Sequence, residues 1–426
     1  MPSPSPADTG VLPTVQSAPG ASVLRILVTA TLISRVGRGI FLTVSVLYFT
    51  FVVGLSAAEV AVVLAASSAV GIGASFAGGW LADRTSARRL LVGFSALEGC
   101  ALAGFPLADG FTAALVVGIG VGAFGQAANT ARMAILARVF GPEERVHARA
   151  VLRTVTNISI AVGSGIGAIA LAIGTPFAYR ALLVVAGLAY IVAVLRLMKL
   201  PASADAARAT SADGGATASR RLARPGGLSP WRDRRYLALT ALCAVFGMQF
   251  GVGELAVPLW IAHDTTAPEV LVAAVLILNT VIVVCFQVPL SRGTHDLRRA
   301  ARVSAIAAWL MAAACVVYAL AAGLPAVAAI AVIVTATVAH AFAEVLSQAS
   351  GWGLSFELAD PRRAGEYQGM FSAGYSIGAT AAPLLVAATT ESVGLLGWGI
   401  LAAIFLASGL GVWALARRAA RTMASA

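Results

Sequence analysis

The sequence predicts an all-α membrane protein with twelve transmembrane helices in two six-helix bundles. Three observations carry that expectation. Hydrophobic residues make up 59% of the 426 positions and charged residues only 12%, against roughly 45–50% and 25% in a soluble domain. Apolar runs long enough to cross a bilayer recur about twelve times. The cations between these runs crowd onto alternate loops, the pattern by which membrane topology is set.

In chain order, residues 1–25 open with MPSPSPADTGVLPTVQSAPG. This stretch lacks the basic start and apolar middle of a signal peptide and reads as a disordered tail. The first bundle is expected over 26–199, with spans at roughly 26–52, 58–81, 89–108, 112–137, 152–174 and 179–198. Val60–Leu81 illustrates the criterion: at ~1.5 Å per residue it covers a ~30 Å hydrocarbon core. Residues 200–235 are poor in apolar residues and rich in Ala, Ser, Gly and Arg, which suits a linker. The second bundle follows over 236–416, with spans at roughly 236–261, 269–289, 300–322, 325–350, 367–389 and 394–416. A short tail, 417–426, closes the chain.

Loops after even-numbered spans carry Arg84, Arg88, Arg89, Arg138, Arg145, Arg149, Arg292, Arg362 and others, whereas loops after odd-numbered spans hold only Arg180. Both termini and the linker are therefore expected in the cytoplasm, in a multi-pass protein of the inner (plasma) membrane. The formal net charge of +11 reads as topology, not as affinity for nucleic acid. Cys100, Cys243, Cys285 and Cys315 stand singly in apolar runs, with neither disulfide nor metal-ligand spacing. No GxxxxGK[ST] phosphate loop is present, so transport would be driven by a gradient. Two halves with equal span number and equal orientation suggest the parallel repeat of a secondary transporter, with its substrate cavity near the midplane.

Between spans two and three runs Gly79-Trp-Leu-Ala-Asp83-Arg84-Thr-Ser-Ala-Arg88-Arg89. This stretch resembles the loop signature of the major facilitator superfamily, G-x-x-x-D-R-x-G-R-R/K, with Ser86 at the second Gly, Ala87 at a cation, and the Arg pair one place along. Gly163-Ser-Gly165-Ile-Gly167 in span five is similar to the drug/proton antiporter signature G-P-x-x-G-G without its proline. The resemblance implies the major facilitator fold, a role for Asp83 and Arg84 in closing one face against span eleven, and a central cavity lined by spans one, four, seven and ten.

Charged groups at membrane depth cost roughly 2.5–3.5 kcal/mol even on lenient scales, so each calls for a reason. Arg38 lies in span one; Gln126, Asn129 and Arg132 in span four; Gln249 and Glu254 in span seven; His340, Glu344 and Gln348 in span ten. The last three stand four apart and form one polar stripe on a helix. A carboxyl and an imidazole so placed can exchange a proton near neutral pH. Glu344 is thus the leading candidate for proton coupling, with His340 beside it and Glu254 as a second carboxylate; alternatively Glu344 is a structural partner of Arg38 or Arg132. Arg38 meets an anionic or carbonyl-bearing substrate, or else neutralises Glu344 or Glu254. Glu98, in span three, falls off the cavity set and is expected to be paired structurally. Small residues at four-residue spacing, such as Gly71, Ser75 and Gly79, or Gly374 and Gly378, let helices approach closely.

The function expected is a monomeric, proton-driven exporter of a small hydrophobic or amphiphilic compound, working by alternating access without a cofactor or metal. Uptake or facilitation of a specific metabolite is the alternative. Gly374-Tyr-Ser376-Ile-Gly378 imitates a hydrolase elbow but lies inside an apolar helical run, where that motif has no strand to leave.

Overall fold

The computed structural model describes residues 19–205 and 227–424. Among these, twelve helices are long and apolar enough to cross a membrane. They are α1 (Gly20–Val52), α2 (Ala57–Arg84), α3 (Ala87–Leu107), α4 (Phe111–Val139), α5 (Pro142–Ile173), α6 (Pro176–Leu197), α7 (Arg234–Asp264), α8 (Val270–Ser291), α9 (Leu297–Ala319), α10 (Ala326–Glu357), α11 (Pro361–Glu391) and α12 (Leu395–Thr422). Most of the expected N-terminal tail, the linker between 206 and 226, and residues 425–426 lie outside the described residues.

Three helices start earlier than their apolar runs. Residues 20–25, expected in the tail, are helical; α5 begins at Pro142 instead of 152, and α11 at Pro361 instead of 367. The reason in α5 is local. Proline suits a first helical position, where its missing N–H is no loss. Glu143 and Glu144 occupy the first turn, at the positive end of the helix dipole, and Glu144 accepts a hydrogen bond from the Gly141 N–H at 3.0 Å. A helix of 32 residues measures about 48 Å, well beyond the hydrocarbon core. Its first turns carry Arg145, Arg149 and Arg153, and a hydropathy pattern discards precisely such turns although the backbone continues. Elsewhere side-chain caps set the starts: Ser56 and Glu59 form a reciprocal capping box on α2, and Asp233 and Asp296 cap α7 and α9.

Packing shows the repeat that the sequence identity between the halves is too weak to reveal. In the first half α1 packs on α5 and α6, α2 on α4, and α3 on α4 and α6; in the second, α7 packs on α11 and α12, α8 on α10, and α9 on α10 and α12. The halves meet along α2 with α11 and α5 with α8, which are equivalent pairs under the same exchange of halves.

Each half has two apolar cores, one toward each end of the bundle. The end that holds the start of α1, the end of α12 and the 2–3, 4–5 and 10–11 loops is here called the basic end. At that end the cores run across the halves: Phe356 joins the core of the first half, and Ala150 and Phe76 join that of the second. At the far end each core is made from its own half alone. Outward-facing apolar side chains such as Leu107, Phe177 and Leu384 are 83%, 81% and 74% exposed, as expected where the surrounding solvent is lipid. The four cysteines are free.

The tightest crossing of the halves is between α2 and α11. A Cβ on Gly365 would lie 2.6 Å from the Gly79 carbonyl oxygen and 2.8 Å from Asp83 Oδ1. Gly369 packs on Ser75 one turn deeper. Gly374 and Gly378 instead face Thr240 and Ala244 of α7 within their own half. Gly365→Val is expected to wedge the two helices apart, at about 1–3 kcal/mol for an overpacked contact. In nanodiscs, a Ser75→Cys reporter in that background should react severalfold faster with a membrane-impermeant maleimide, and unchanged labelling would show that the crossing does not hold this end shut.

Candidate functional site

At the basic end, the C-terminal turn of α2 caps α11 of the other half. Asp83 Oδ1 accepts from the Gly365 N–H at 2.8 Å and Oδ2 from the Glu366 N–H at 2.7 Å. These N–H groups belong to the first turn of the regular helix that begins at Ala364 within α11, which has no acceptor of its own for them. Arg138 of α4 donates to Asp83 Oδ1 at 2.8 Å and to the Ala82 carbonyl at 2.8 Å. The Asp83 side chain is only 1% exposed, a burial that a carboxylate tolerates only with such partners. Arg84 pairs with Glu366 at 2.9 Å and stacks over Trp80 at 4.2 Å, while Arg363 holds the other Glu366 oxygen at 2.9 Å. Gly79, Asp83 and Arg84 therefore sit at the junction between halves.

Arg88 and Arg89, expected in the same gate, turn to their own half. The Arg88 N–H donates to Asp205 at 3.0 Å and its guanidinium to the Leu200 carbonyl at 2.7 Å. Arg89 is exposed, with its N–H donating to the Ser86 cap at 3.1 Å. Ser86 also donates to Asp205 at 2.6 Å. Arg88, in the first turn of α3, pins the chain leaving α6, while Arg89 faces out.

A second layer comes from α5. Arg145, Arg149 and Arg153 stand four apart, on one helix face. Arg145 pairs with Glu357 of α10 at 2.7 Å. Arg149 donates to Ser355 Oγ and Gln368 Oε1, each at 3.3 Å, and lies over Trp352 at 5.2 Å and Phe371 at 5.4 Å. Arg153 approaches Glu344 Oε1 at 3.6 Å. Read as loop cations, Arg145 and Arg149 are in fact helical and reach across the halves. Glu357, Glu366 and Arg153 were likewise missed. The four-residue spacing that marks the α10 stripe was present in α5 too, hidden by the late start assigned to that span.

Above this layer a cavity of about 410 Å³ opens between α5, α7, α8 and α10, lined by Arg153, Asn157, Gln249, Glu254, Asn279, His340 and Glu344. Glu344, 4% exposed, accepts from Gln348 at 3.0 Å and from Asn279 at 3.3 Å. The structure thus pairs it with Arg153, not with Arg38 or Arg132. His340 follows on the same face with its ring edge to Tyr318, centroids 6.2 Å apart. Gln249 donates to Ser347 at 3.1 Å. Glu254 lies in a π-helical turn, Val252–Ala256, of the kind often kept at functional sites, and faces the open cavity.

Two further cavities lie toward the first half. One, of about 340 Å³, is lined by Arg35, Arg132, Arg149 and Arg153 together with Gln126 and Asn129. The other, of about 290 Å³, shares Arg35, Gln126 and Asn129 and adds Arg38 and Glu98. Gln126 donates to Ser376 of α11 at 2.6 Å, so the serine of the hydrolase-like motif is a helical hydrogen-bond acceptor. Glu98 corrects its expected place off the cavity: it reaches the lining from α3 through the gap at Gly125, where a Cβ would meet Glu98 Oε1 at 2.8 Å. Gly163 and Gly167 form the crossing of α5 with Gly39 and Thr43 of α1, whereas Gly165 faces open space. Among the described residues no group of three His, Cys, Asp or Glu side chains is placed to hold a metal ion.

The fold recurs in solved transporters. The human organic anion transporter MFSD10 (TETRAN) superposes with a TM-score of 0.69 at 14% identity, over 92% of this chain and 99% of that one. A bacterial homologue of the iron transporter ferroportin, in an outward-facing state, gives 0.70 at 13% identity, over 93% and 98%. The transporter FucP in its outward conformation gives 0.65 at 15% identity, over 93% and 98%. At such identities the likeness speaks for the fold alone. No curated protein sequence matches the chain. The family profile of the Major Facilitator Superfamily matches residues 27–383, and with most of its length so covered the chain belongs to that superfamily of secondary transporters, which work by alternating access.

Proposed function

We propose that the protein is a proton-coupled exporter of a small amphiphilic compound in the plasma membrane, with both termini in the cytoplasm. The cation asymmetry of the loops supports that orientation. With the basic end cytoplasmic, the gate of Asp83, Arg84 and the α5 arginines closes the inside face, and the cavity is reached from outside.

The observation that carries the coupling is that Arg153, beside Glu344, shares a helix with Arg145 and Arg149, which bridge the halves at the gate. Protonation of Glu344 removes the counter-charge of Arg153 and so changes the forces on α5. Because α5 is a continuous helix, a change at the midplane is felt at the gate two turns below, and the balance between the two access states shifts. Glu254, in the same cavity, is the second proton site, and His340 a polar neighbour of both.

One observation favours the second reading, uptake of a specific metabolite: the cavity wall holds Asn157, Gln249 and Asn279, groups suited to a hydroxylated substrate. An accumulation panel of fluorescent and antibiotic compounds, in a host stripped of its own pumps, separates the two. Export is expected to lower accumulation of at least one compound severalfold, with the effect lost on adding a protonophore. Higher accumulation on expression, abolished by the protonophore, would instead establish uptake.

A further inference from the structure

We propose that the transported molecule is an organic anion, and that its carboxylate, sulfonate or phosphate head is held between Arg35 of α1 and Arg132 of α4. This rests on the transport reading above and names its substrate class, with the head in a cavity that shares Arg153 and Phe250 with that of Glu344.

The charge balance of the cavity wall is the starting point. Arg35 and Arg132 line a cavity whose lining includes no Asp or Glu, and the adjoining space adds Arg38 with a single carboxylate, Glu98. Arg149 and Arg153 already have partners in α10 and α11. Among the described residues, Arg35, Arg38 and Arg132 make no ion pair within 4.0 Å. Arg132 is only 8% exposed, and the Nε atoms of both Arg132 and Arg35 are buried without a hydrogen-bond partner.

A guanidinium inside a bilayer is strongly disfavoured unless its charge and donors are met. Arg35, Arg38 and Arg132, spread over two adjoining cavities and opposed by one carboxylate, leave an excess of two positive charges. An anionic head supplies what is missing, and the planar fork of arginine matches a carboxylate or phosphate through paired hydrogen bonds. Asn129 and Gln126, three and six residues before Arg132 on α4, bring amide groups to the same space. Phe250, Trp352 and Tyr375 line the same cavity and offer an apolar wall for the body of an amphiphile.

Glu98 fits the same scheme. It enters from a peripheral helix through the space left by Gly125 and lies near Arg132 without reaching ion-pair distance. It tempers the repulsion among the three arginines when the cavity is empty and competes with the incoming anion when it is not. If the arginines were only structural ties between helices, a ligand's charge would not matter.

The test uses the full chain in nanodiscs, with thermal stabilisation as the readout of binding. The probes are 2-naphthoate, naphthalene-2-sulfonate and 2-naphthyl phosphate, with 2-naphthamide as the uncharged counterpart. At least one anion is expected to bind about tenfold or more tightly than the amide, as loss of a charge-assisted pair implies. Arg35→Gln and Arg132→Gln should each weaken that anion about tenfold and leave the amide unchanged. Glu98→Gln should tighten it severalfold, a gain that a folding defect does not produce. No anion binding better than the amide, equal effects of the arginine variants on both, or weaker anion binding in Glu98→Gln would each overturn the proposal. Anion binding with these dependences in a protein that moves nothing against a proton gradient would remove the coupled-transport reading and leave this one standing; flux of neutral compounds with no preference for anions would do the reverse.

Discussion

Glu344→Gln is expected to lower proton-driven flux in proteoliposomes by about 10- to 100-fold, the span that corresponds to roughly 1.5–3 kcal/mol for one charge-assisted hydrogen bond. The glutamine keeps the shape of the side chain and can still accept from Asn279 or Gln348, so the helix packing around α10 should survive. What it cannot do is carry a charge that comes and goes. Arg153, 3.6 Å away, is left permanently without its counter-ion, as it would be when Glu344 is protonated. Exchange of substrate without a gradient should therefore persist while uphill movement is lost. Glu254→Gln serves as the comparison, because Glu254 makes no ion pair within 4.0 Å among the described residues and should have the smaller effect. If uphill flux survives in Glu344→Gln and fails in Glu254→Gln, the two carboxylates exchange roles.

Asp83→Asn is expected to reduce turnover far more than it alters apparent affinity. At the α2–α11 junction the Asp83 carboxylate takes two N–H groups of α11 and one guanidinium hydrogen, all between 2.7 and 2.8 Å. Asparagine offers one acceptor oxygen, and its amide hydrogens face donors. The closed basic end should lose about 1.5–3 kcal/mol, or about 10- to 100-fold in the ratio of closed to open molecules. Spin labels at the basic ends of α2 and α11 should report a longer mean distance, and kcat should fall while KM changes little. An altered KM with unchanged kcat and label distance would move Asp83 out of the gate. Arg84→Gln should have a weaker effect, because the Arg84 side chain is 25% exposed and exposed ion pairs contribute about 0.2–1 kcal/mol.

The candidate site was partly readable before any helix was placed. His340, Glu344 and Gln348 were visible because helical periodicity converts a spacing of four into a common face, a property of one element alone. Glu344's partner was not visible, since neither Arg38 nor Arg132 but Arg153 faces it, and that choice belongs to the packing of α5 on α10. Arg153 was nonetheless within reach, as the third step of a four-residue ladder with Arg145 and Arg149. Arg153 itself falls in the expected span 152–174, but its two ladder partners do not, because apolarity does not mark where a helix starts: Pro142 and two glutamates begin α5 ten residues earlier. The same late start leaves Gly365 outside span eleven, and the small-residue contacts expected at Gly374 and Gly378 prove to lie within their own half.

Glu98 shows the opposite limit. Nothing in α3 announces that its carboxylate enters a cavity, because the space it uses is an absent side chain, Gly125, on another helix. Arg88 and Arg89 carry a family-like pattern and still bond only within their own half, since one residue's shift turns a helical side chain by about 100°.

By itself the sequence determined the twelve helices, the clustering of cations on one end and the placing of polar residues on a few faces. These are settled by local backbone hydrogen bonding in an apolar solvent and by the cost of charge in lipid. Only the tertiary structure decided which faces meet: Asp83 on the first turn of α11, Arg153 on Glu344, Glu98 through Gly125 among three arginines. Such pairings depend on helix rotation and on contact between residues up to 283 positions apart in the chain, which no local pattern encodes.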